Sequence, residues 1–172
     1  LTFPMIASGA VGVIIGLGNI GRRVAGIAKS FGCRVIYYST SGKNHNKEYE
    51  EVDFDTLLAE SDILSVHAPL DENTQNLMDK DAFEKMKNTA IFLNLGRGPI
   101  VVEADLADAL EQGRIAAAGL DVLCIEPMSP DNPLRRIKDS DKLLITPHIG
   151  WASVEARTRL MQTILGYCLE IK

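Results

Sequence analysis

Cysteine is scarce in this sequence, and its three copies lie far apart. They are Cys33, Cys124 and Cys168, and no two of them form a CxxC pair. This spacing excludes a zinc ribbon and a thioredoxin-type redox site. An odd and sparse set suits a reducing compartment better than a disulfide framework, so we expect a cytoplasmic protein.

Basic charge and long apolar runs are lacking as well. The 172 residues include 18 Lys plus Arg against 23 Asp plus Glu, which gives a formal charge of −5. A protein that binds the nucleic-acid backbone is normally basic, so we expect no nucleic-acid partner. No apolar run reaches the about 18 residues of a membrane span, and no segment has a signal-peptide pattern, so we expect no membrane partner.

Two common catalytic patterns are also missing. The three histidines, His45, His67 and His148, are distant from one another and form no HxH or HExxH pattern. We therefore expect no metal site. A strand–Ser–helix elbow of the G-x-S-x-G type does not occur either, which argues against a serine hydrolase.

What is present is an alternation of strand-length apolar runs with segments of helical spacing. Most runs are continuously apolar, as strands buried on both faces should be. Strands that alternate with helices form a parallel sheet with helices on both faces, so we predict an α/β fold with a doubly wound sheet. The six predicted strands are residues 11–15, 34–38, 62–67, 90–95, 116–122 and 143–147.

Helices are predicted between and after these strands. Short ones are expected at 54–60, 81–87 and 103–112. The first helix follows the first strand and has one apolar face, formed by Ile20, Val24, Ile27, Ala28 and Phe31. The last helix begins near Ser153 as its N-cap. Its predicted buried face consists of Leu160, Met161, Ile164, Leu165 and Cys168. Residues 123–142 are rich in Pro and polar groups and are predicted to form an ordered functional loop.

A G-x-G-x-x-G pattern runs from Gly16 to Gly21 and joins the first strand to the first helix. This context is typical of a dinucleotide-binding turn, so we predict a Rossmann-type fold. Gly16 permits the tight turn, Gly18 lets a pyrophosphate approach the backbone, and Gly21 lets the helix pack on the strand. The N-terminus of the helix would then hold the phosphates.

Polar and small residues follow the other strands at the same edge of the predicted sheet. Ligands of open α/β sheets bind outside the carboxyl ends of the strands. We therefore expect these residues to lie along one rim and to face a bound ligand. They are Ser39, Thr40, His67, Ala68, Pro69, Asn94, Leu95, Gly96, Arg97, Asp121, His148 and Gly150.

Three residues form a candidate catalytic set. Arg97 lies between two glycines, and its planar guanidinium can bind both oxygens of a carboxylate. His148 follows Pro147 at a strand end and is the best candidate for an acid–base group, since imidazole titrates near neutrality. A carboxylate from Glu126 beside His148 would orient the ring and favour its protonated form.

Five separated stretches carry a family resemblance. They are Gly16 to Gly21, His67-Ala68-Pro69-Leu70 with Thr74, Asn94-Leu95-Gly96-Arg97-Gly98, Gly119-Leu120-Asp121-Val122 with Glu126-Pro127, and Thr146-Pro147-His148-Ile149-Gly150. In order and spacing they resemble the D-isomer-specific 2-hydroxyacid dehydrogenases, over roughly residues 10–170. Residues 37–43 and 148–153 resemble most the glycerate dehydrogenase/hydroxypyruvate reductase branch.

The resemblance implies a reaction and roles for the matching residues. The reaction is hydride transfer between NAD(H) or NADP(H) and a small 2-keto or D-2-hydroxy acid of the hydroxypyruvate/glycerate or glyoxylate type. Arg97 would bind the substrate carboxylate and carbonyl, His148 would protonate the carbonyl oxygen, and Glu126 would pair with His148. Asp121 would contact the nicotinamide carboxamide. The remaining expected cofactor contacts are Gly16, Gly18, Asn19, Ile20, Gly21, Ser39, Thr40, Lys43, His67, Ala68, Pro69, Thr74, Leu95, Gly96 and Gly150.

The family also carries a second, substrate-binding domain, which we expect to be missing from this chain. We therefore expect residues 1–172 to be the dinucleotide-binding domain, with 1–10 and 153–172 as truncated connections toward the missing domain. The chain begins at Leu1 without an initiator Met, as a partial chain would. Because the family dimerises largely through this domain, we expect a homodimer.

Two departures from the family pattern and three alternatives matter. Ser39 stands where the family usually has an acid, and no Asp or Glu occurs from residue 22 to 47, so we predict that NADPH is accepted. Trp151 stands where many members of the family have Gly, which predicts a narrower mouth of the substrate pocket.

A dinucleotide-sensing, co-repressor-like binding module is the main alternative to an enzyme. The set of Arg97, Glu126 and His148 argues against an adenosylhomocysteinase, and Glu126 in place of Gln argues against a formate dehydrogenase.

Overall fold

The computed structural model describes residues 9–43 and 45–170, with side chains described through residue 166. Strands and helices alternate along this part of the chain, as predicted. The strands are β1 (Val11–Ile15), β2 (Arg34–Tyr38), β3 (Glu50–Glu51), β4 (Ile63–Val66), β5 (Ile91–Asn94), β6 (Ala117–Leu120) and β7 (Leu143–Ile145). The helices are α1 (Asn19–Ser30), α2 (Phe54–Glu60), α3 (Lys80–Lys85), α4 (Glu103–Glu111) and α5 (Val154–Glu170).

The strands form one parallel sheet in the order β3-β2-β1-β4-β5-β6-β7. Every adjacent pair is parallel. From β1 the chain adds β2 and β3 on one side, and it then returns to add β4 to β7 on the other side of β1. This is the Rossmann arrangement. The predicted doubly wound sheet is confirmed, and all its strands end at the same rim.

The predicted strand count of six is wrong by one short strand. All six predicted strands are present, and the bounds of β1 and β2 are those predicted. The strand that was missed, β3, consists of two exposed glutamates that pair with β2, Glu50 opposite Ile36. Two charged residues carry neither an apolar run nor an alternating pattern, so the sequence offers no signal for this strand.

The main core lies between the sheet and helices α2, α3 and α4. Phe92 of β5 and Phe83 of α3 meet there edge to face, with ring centroids 5.5 Å apart. On the opposite face, Ile14 of β1 and Tyr37 of β2 pack with Ala25 of α1 in a smaller cluster. Successive side chains of a strand point to opposite faces of the sheet. Alternate residues of a buried strand therefore face the main core, and the residues between them face the opposite side.

The second face of the sheet is covered unevenly. Leu143 and Ile145 of β7 pack against the main core, so Leu144 between them points to the face on which α1 lies. Leu144 is 64% exposed there, and Ile91 of β5 is 39% exposed. Apolar surface thus remains open on the β5–β7 half of this face.

The apolar face predicted for α1 is only partly buried. Val24 and Ala28 of this face pack against the smaller cluster. Ile20, Ile27 and Phe31 are more than half exposed. The predicted face therefore lies at the border between the side of α1 that contacts the sheet and a stripe open to solvent. The residues that α1 buries fully are Gly21 and Ala25.

The predicted buried face of the last helix is wrong for the described residues. Ser153 caps α5 as predicted, with its Oγ accepting a hydrogen bond from Ala156 N at 3.1 Å. Four of the five apolar side chains predicted to be buried are exposed, and the fifth, that of Cys168, lies outside the described part of the chain. Periodicity identifies an apolar face but does not say what covers it. The exposed residues are Leu160, Met161, Ile164 and Leu165, at 46–64%.

The segment 123–142 is an ordered loop, as predicted. A 3₁₀ turn, Pro133–Arg136, lies within it, and Leu134 of that turn is buried in the main core. Asn132 starts this turn by accepting a hydrogen bond from Leu134 N. In the part of the chain that the structure describes, no helix has both the length and the apolar character needed to cross a membrane.

Candidate functional site

The glycine-rich turn lies at the carboxyl end of β1, with each glycine in a different environment. Gly16 has φ +88°, and a Cβ there would lie 2.7 Å from Ala68 N. A Cβ on Gly21 would lie 2.3 Å from Gly16 O, so α1 could not approach the turn. Around Gly18 a Cβ would meet nothing within 4 Å. The first and third glycines are therefore needed for the turn itself, and the second leaves open space above the backbone.

A small cavity of about 100 Å³ adjoins this turn. Ser39, at the end of β2, lines it and is only 8% exposed. Its Oγ has no hydrogen-bond partner among the described residues. A buried hydroxyl without a partner is costly, so this oxygen is suited to a ligand atom placed in the cavity. The remaining lining residues are Gly16, Leu17, Gly18, Thr40, Ser41, His67, Pro69 and Asp71.

A second cavity of about 490 Å³ continues along the rim to the ends of β4 and β5. His67 lines both cavities, and its Nε2 lies 2.9 Å from Ser65 Oγ. Burial lowers the pKa of His67, so its ring is neutral at pH 7. The lining residues are Ile20, His67, Ala68, Pro69, Leu70, Leu95, Gly96 and Arg97.

The loop that carries Arg97 is held from below by Asn94. This residue is fully buried, its Nδ2 donates to Arg97 O at 3.0 Å, and its Oδ1 accepts from Gly96 N at 3.0 Å. The guanidinium of Arg97 is exposed and donates to Gly96 O at 2.8 Å. The backbone is thus fixed while the charged end of Arg97 faces solvent, where a carboxylate could reach it.

Glu126 lies beside His148, as predicted. Glu126 Oε2 is 2.8 Å from His148 Nδ1, and Glu126 Oε1 accepts from Leu123 N at 2.9 Å. The amide of Leu123, and after it His148, hold the pKa of Glu126 below its ordinary value. Glu126 is therefore ionised at pH 7 and can only accept, so Nδ1 of His148 donates. The Nε2 atom is left as the proton donor or acceptor for a ligand.

Asp121 fixes the backbone around His148. His148 has φ +54°, a left-handed conformation that is uncommon outside glycine. Asp121 Oδ1 accepts from Ile149 N at 2.9 Å and from Thr146 Oγ1 at 2.5 Å, while its Oδ2 accepts from Gly150 N at 2.8 Å. Burial acts to raise the pKa of Asp121, but these three donors outweigh it and the pKa is lowered. The carboxylate therefore holds His148 in its strained conformation.

The structure brings the Arg97 loop and the Glu126 loop into direct contact. A Cβ on Gly98 would lie 2.0 Å from Leu123 C and O, so the two backbones touch at this point. Asp121, Glu126 and His148 line a third cavity, of about 490 Å³, on the same rim. The predicted catalytic set is thus carried by neighbouring loops at one edge of the sheet.

Five of the expected cofactor residues do not line the three described cavities: Asn19, Gly21, Lys43, Thr74 and Gly150. Lys43 is exposed on the loop after β2 and lines neither of the two cavities beside the glycine-rich turn. Thr74 is fully buried, and its hydroxyl donates to Pro69 O at 2.7 Å, which stabilises the turn after β4. Thr74 therefore supports the residues that line the cavities rather than lining them.

Sequence reasoning missed the contacts that support the catalytic set. The sequence gives no sign that Gly98 contacts Leu123 or that Glu103 binds the Glu126 loop. Glu103 and its partner Cys124 are 21 positions apart. A pattern in the sequence does not reveal which backbone amide, far away along the chain, will donate a hydrogen bond to a glutamate such as Glu103.

Comparison with known proteins agrees with this geometry. A family model described as the NAD binding domain of D-isomer specific 2-hydroxyacid dehydrogenase matches residues 5–150. A hydroxypyruvate reductase of Blautia hydrogenotrophica is 45% identical over 152 residues, which cover 86% of this chain and 46% of that protein. The chain spans about half the length of this relative.

Solved structures share the fold. The NAD-complexed D-isomer specific 2-hydroxyacid dehydrogenase of Lactobacillus delbrueckii ssp. bulgaricus has a TM-score of 0.83 at 31% identity, over 94% of this chain and 52% of that one. An acyclic imino acid reductase in complex with NADPH and D-Arg has a TM-score of 0.83 at 32% identity, over 99% of this chain and 55% of that one. The chain belongs to the D-isomer-specific 2-hydroxyacid dehydrogenase family and has the fold of its NAD-binding domain.

Proposed function

We propose that the full-length protein reduces a small 2-keto acid, of the hydroxypyruvate or glyoxylate type, to the D-2-hydroxy acid with NADH or NADPH. The observation that carries this proposal is the Glu126–His148 pair, 2.8 Å apart, on the same rim as the Arg97 loop and the glycine-rich turn. The name of the Blautia hydrogenotrophica relative, a hydroxypyruvate reductase, supports the substrate class.

The residues of this rim fit a dinucleotide. Open space lies above Gly18 at the N-terminus of α1, where backbone N–H groups can meet a pyrophosphate. The unpartnered Oγ of Ser39 faces the neighbouring cavity, and His67 connects that cavity to the next. When bound, the dinucleotide supplies the hydride. The NAD and NADPH in the two solved structures support either cofactor.

Three residues of this chain have separate roles toward the keto acid. Arg97 binds the carboxylate through its guanidinium and orients the carbonyl. His148 donates the proton from Nε2 to the carbonyl oxygen as negative charge develops on it. Glu126 accepts from Nδ1 and so orients the ring with Nε2 toward the keto acid.

We propose a second domain and a homodimer on the basis of exposed apolar surface. The relatives extend well beyond the matched half, and we propose that their additional domain covers α5 and the open sheet face at Leu144 and Ile91. The stripe of Ile27 and Phe31 on α1 is proposed as part of the dimer contact. The scarcity of cysteine supports a cytoplasmic location.

The test is turnover by the full-length protein with hydroxypyruvate and glyoxylate, each with NADH and NADPH. His148→Ala should lower kcat by roughly 10²–10⁴-fold, with little change in cofactor affinity. His45→Ala is the control, because His45 pairs with Glu51 in the exposed loop after β2. Dinucleotide binding without turnover of any keto acid would contradict the proposed reductase activity and favour a co-repressor-like binding module.

A further inference from the structure

The loop that carries Glu126 is attached at two points to one side chain of α4. Glu103, the first residue of α4, accepts a hydrogen bond from Cys124 N through Oε1 at 2.8 Å. Through Oε2 it accepts from Asn132 Nδ2, also at 2.8 Å. Glu126 lies between these two attachment points, so Glu103 closes the segment 124–132 into a ring.

The attachment at Asn132 is fixed in orientation. Asn132 is 8% exposed, and its Oδ1 accepts from Leu134 N at 2.9 Å at the start of the 3₁₀ turn. Its Nδ2 is therefore committed to face Glu103, because a flipped amide would lose the bond to Leu134. Only an acceptor at position 103 suits this amide.

The attachment at Cys124 is coupled directly to Glu126. The amide of Cys124 donates to Glu103, and the preceding amide, that of Leu123, donates to Glu126 Oε1. The peptide planes that carry these two amides meet at the Cα of Leu123, so a shift of the Cys124 amide is passed to the Leu123 amide through the two backbone dihedral angles of Leu123. Loss of the Glu103 contact would thus move the donor that holds Glu126 against His148.

From this geometry we propose that Glu103 is a positioning residue for the Glu126–His148 pair. It touches neither member of the pair and acts through the backbone at residues 123 and 124. The effect on the His148 ring is independent of any reaction, whereas the effect on turnover rests on the proposed function.

A purely structural role for Glu103 predicts a different result. An acidic residue in the first turn of a helix stabilises that helix through its dipole, and α4 has two such residues, Glu103 and Asp105. Asp105 accepts from Lys80 N and makes no described contact with residues 123–132. Asp105→Asn is therefore the matched control, since it removes the same charge from the same turn.

The contact can be broken from either side and restored. In Glu103→Gln, the side-chain amide turns a donor toward Asn132 Nδ2, and the two facing donors push the side chain at position 103 away from Asn132 and from Cys124 N. In Asn132→Asp, two carboxylates face each other and repel, which displaces Glu103 from Cys124 N in the same way, while the bond to Leu134 N can be kept. In the double variant, the new amide at position 103 donates to the new carboxylate at position 132 and still accepts from Cys124 N. The double variant thus restores the contacts of position 103 with Cys124 and with position 132, and it has the net charge of the parent. Comparing it with the two single variants separates the effect of losing these contacts from the effect of each substitution alone.

The first readout is the imidazole ¹H–¹⁵N spectrum of the 172-residue chain at a pH where the rings are neutral. The parent should hold His148 with its proton on Nδ1, and each single variant should shift population to Nε2–H. The double variant and Asp105→Asn should keep the parental pattern, and His45 should not change in any variant. If one single variant fails to fold, as judged by circular dichroism, the other still provides the comparison.

The second readout is steady-state kinetics of the full-length protein. Each single variant should lower kcat roughly tenfold, the effect of one lost hydrogen bond to a charged group, with KM for the keto acid and cofactor affinity changed far less. The double variant should recover kcat. A parental His148 spectrum in the single variants, no recovery in the double variant, or an equal shift in Asp105→Asn would overturn the proposal. Absence of turnover in the parent would refute only the proposed function, because the spectrum does not depend on it.

Discussion

Gly98 and Leu123 touch through their backbones, and this contact joins the two loops of the candidate active site. A Cβ added to Gly98 would lie 2.0 Å from Leu123 C and O and 2.4 Å from Cys124 N. The obstructing atoms are main chain and cannot rotate away. Gly98 follows Arg97 directly, and Leu123 N holds Glu126, so the spacing between Arg97 and the Glu126–His148 pair, the proposed substrate-binding and acid–base groups, depends on this contact.

Gly98→Ala should therefore lower both stability and activity. Overpacking against a fixed backbone typically costs about 1–3 kcal/mol, which thermal unfolding of the chain would detect. The displaced loops should also lower kcat/KM of the full-length protein. Gly26→Ala is the control, because the new Cβ would meet only Tyr49 Oη at 3.8 Å. In the middle of α1 that change should stabilise the fold by about 0.5–1 kcal/mol. Equal stability of the two variants would contradict the argument.

The pKa of Glu126 predicts how the loop responds to acid. The amide of Leu123 and then His148 lower this pKa below its ordinary 4.5. A lowered folded-state pKa means that the contact is intact above 4.5 and is lost as the pH falls through the lower, folded-state value. The amide resonance of Leu123 should therefore move with acid in a transition whose midpoint lies below about 4.5. Glu126→Gln should remove this dependence, and a midpoint at or above about 4.5 in the parent would contradict it.

The same substitution should lower turnover by the full-length protein. The carboxylate of Glu126 accepts from Leu123 N and from His148 Nδ1, whereas the amide in Glu126→Gln has one acceptor and cannot accept from both in the same way. The kcat for keto acid reduction should then fall, with cofactor affinity changed far less. An unchanged kcat would show that the reaction does not use the contact between Glu126 and His148.

The elements that the sequence predicted best are those determined by local interactions. The bounds of α2 are those predicted, since Asp53 caps it through Thr56 N and a short apolar face follows. The rim residues were also predictable, because parallel strands that alternate with helices must end at one edge. Arg97 and His148 were found in this way.

The rest depends on contacts between distant parts of the chain. β3 is two glutamates that pair with β2, and nothing in their local sequence distinguishes them from a loop. The apolar stripe of α5 was predicted correctly as a stripe, but its burial depends on surface that the described residues do not provide. Glu103 is important because of where Cys124 and Asn132 come to lie, and only the folded chain shows this.

The glycine-rich turn allows a test that separates folding from cofactor binding. Gly21→Ala should destabilise the chain, because its Cβ would lie 2.3 Å from Gly16 O. Gly18→Ala should change stability by no more than about 1 kcal/mol, since its Cβ meets nothing and only the N-cap preference is altered. The same Cβ would stand where a pyrophosphate approaches, so calorimetry should show NADH and NADPH binding weakened by roughly tenfold or more. Parental affinity in Gly18→Ala would place the dinucleotide elsewhere.

We expect Ser39 to contact the adenosine end of the cofactor. An acidic residue at this position would bind the ribose 2′-OH and repel a 2′-phosphate. Here a buried serine, whose Oγ has no partner in the described part of the chain, lines the cavity together with Thr40 and Ser41. No Asp or Glu occurs from residue 22 to 47. Asp71 is the one carboxylate lining the cavity as the described residues define it, and its Oδ1 already accepts from Asn73 N at 2.9 Å and from Thr74 N at 3.1 Å. The hydroxyls are therefore free to donate to a phosphate.

We accordingly expect the full-length protein to accept NADPH at least as well as NADH. Ser39→Asp should shift the ratio of kcat/KM toward NADH, because it adds an acceptor for the 2′-OH and a negative charge against the 2′-phosphate. Ser30→Asp is the control, since Ser30 is exposed at the end of α1 and its Oγ donates to Ile27 O. The measurement is kcat/KM with both cofactors in the parent and both variants. If the parent is strongly selective for NADH and Ser39→Asp leaves the ratio of kcat/KM for the two cofactors unchanged, Ser39 does not contact the adenine ribose.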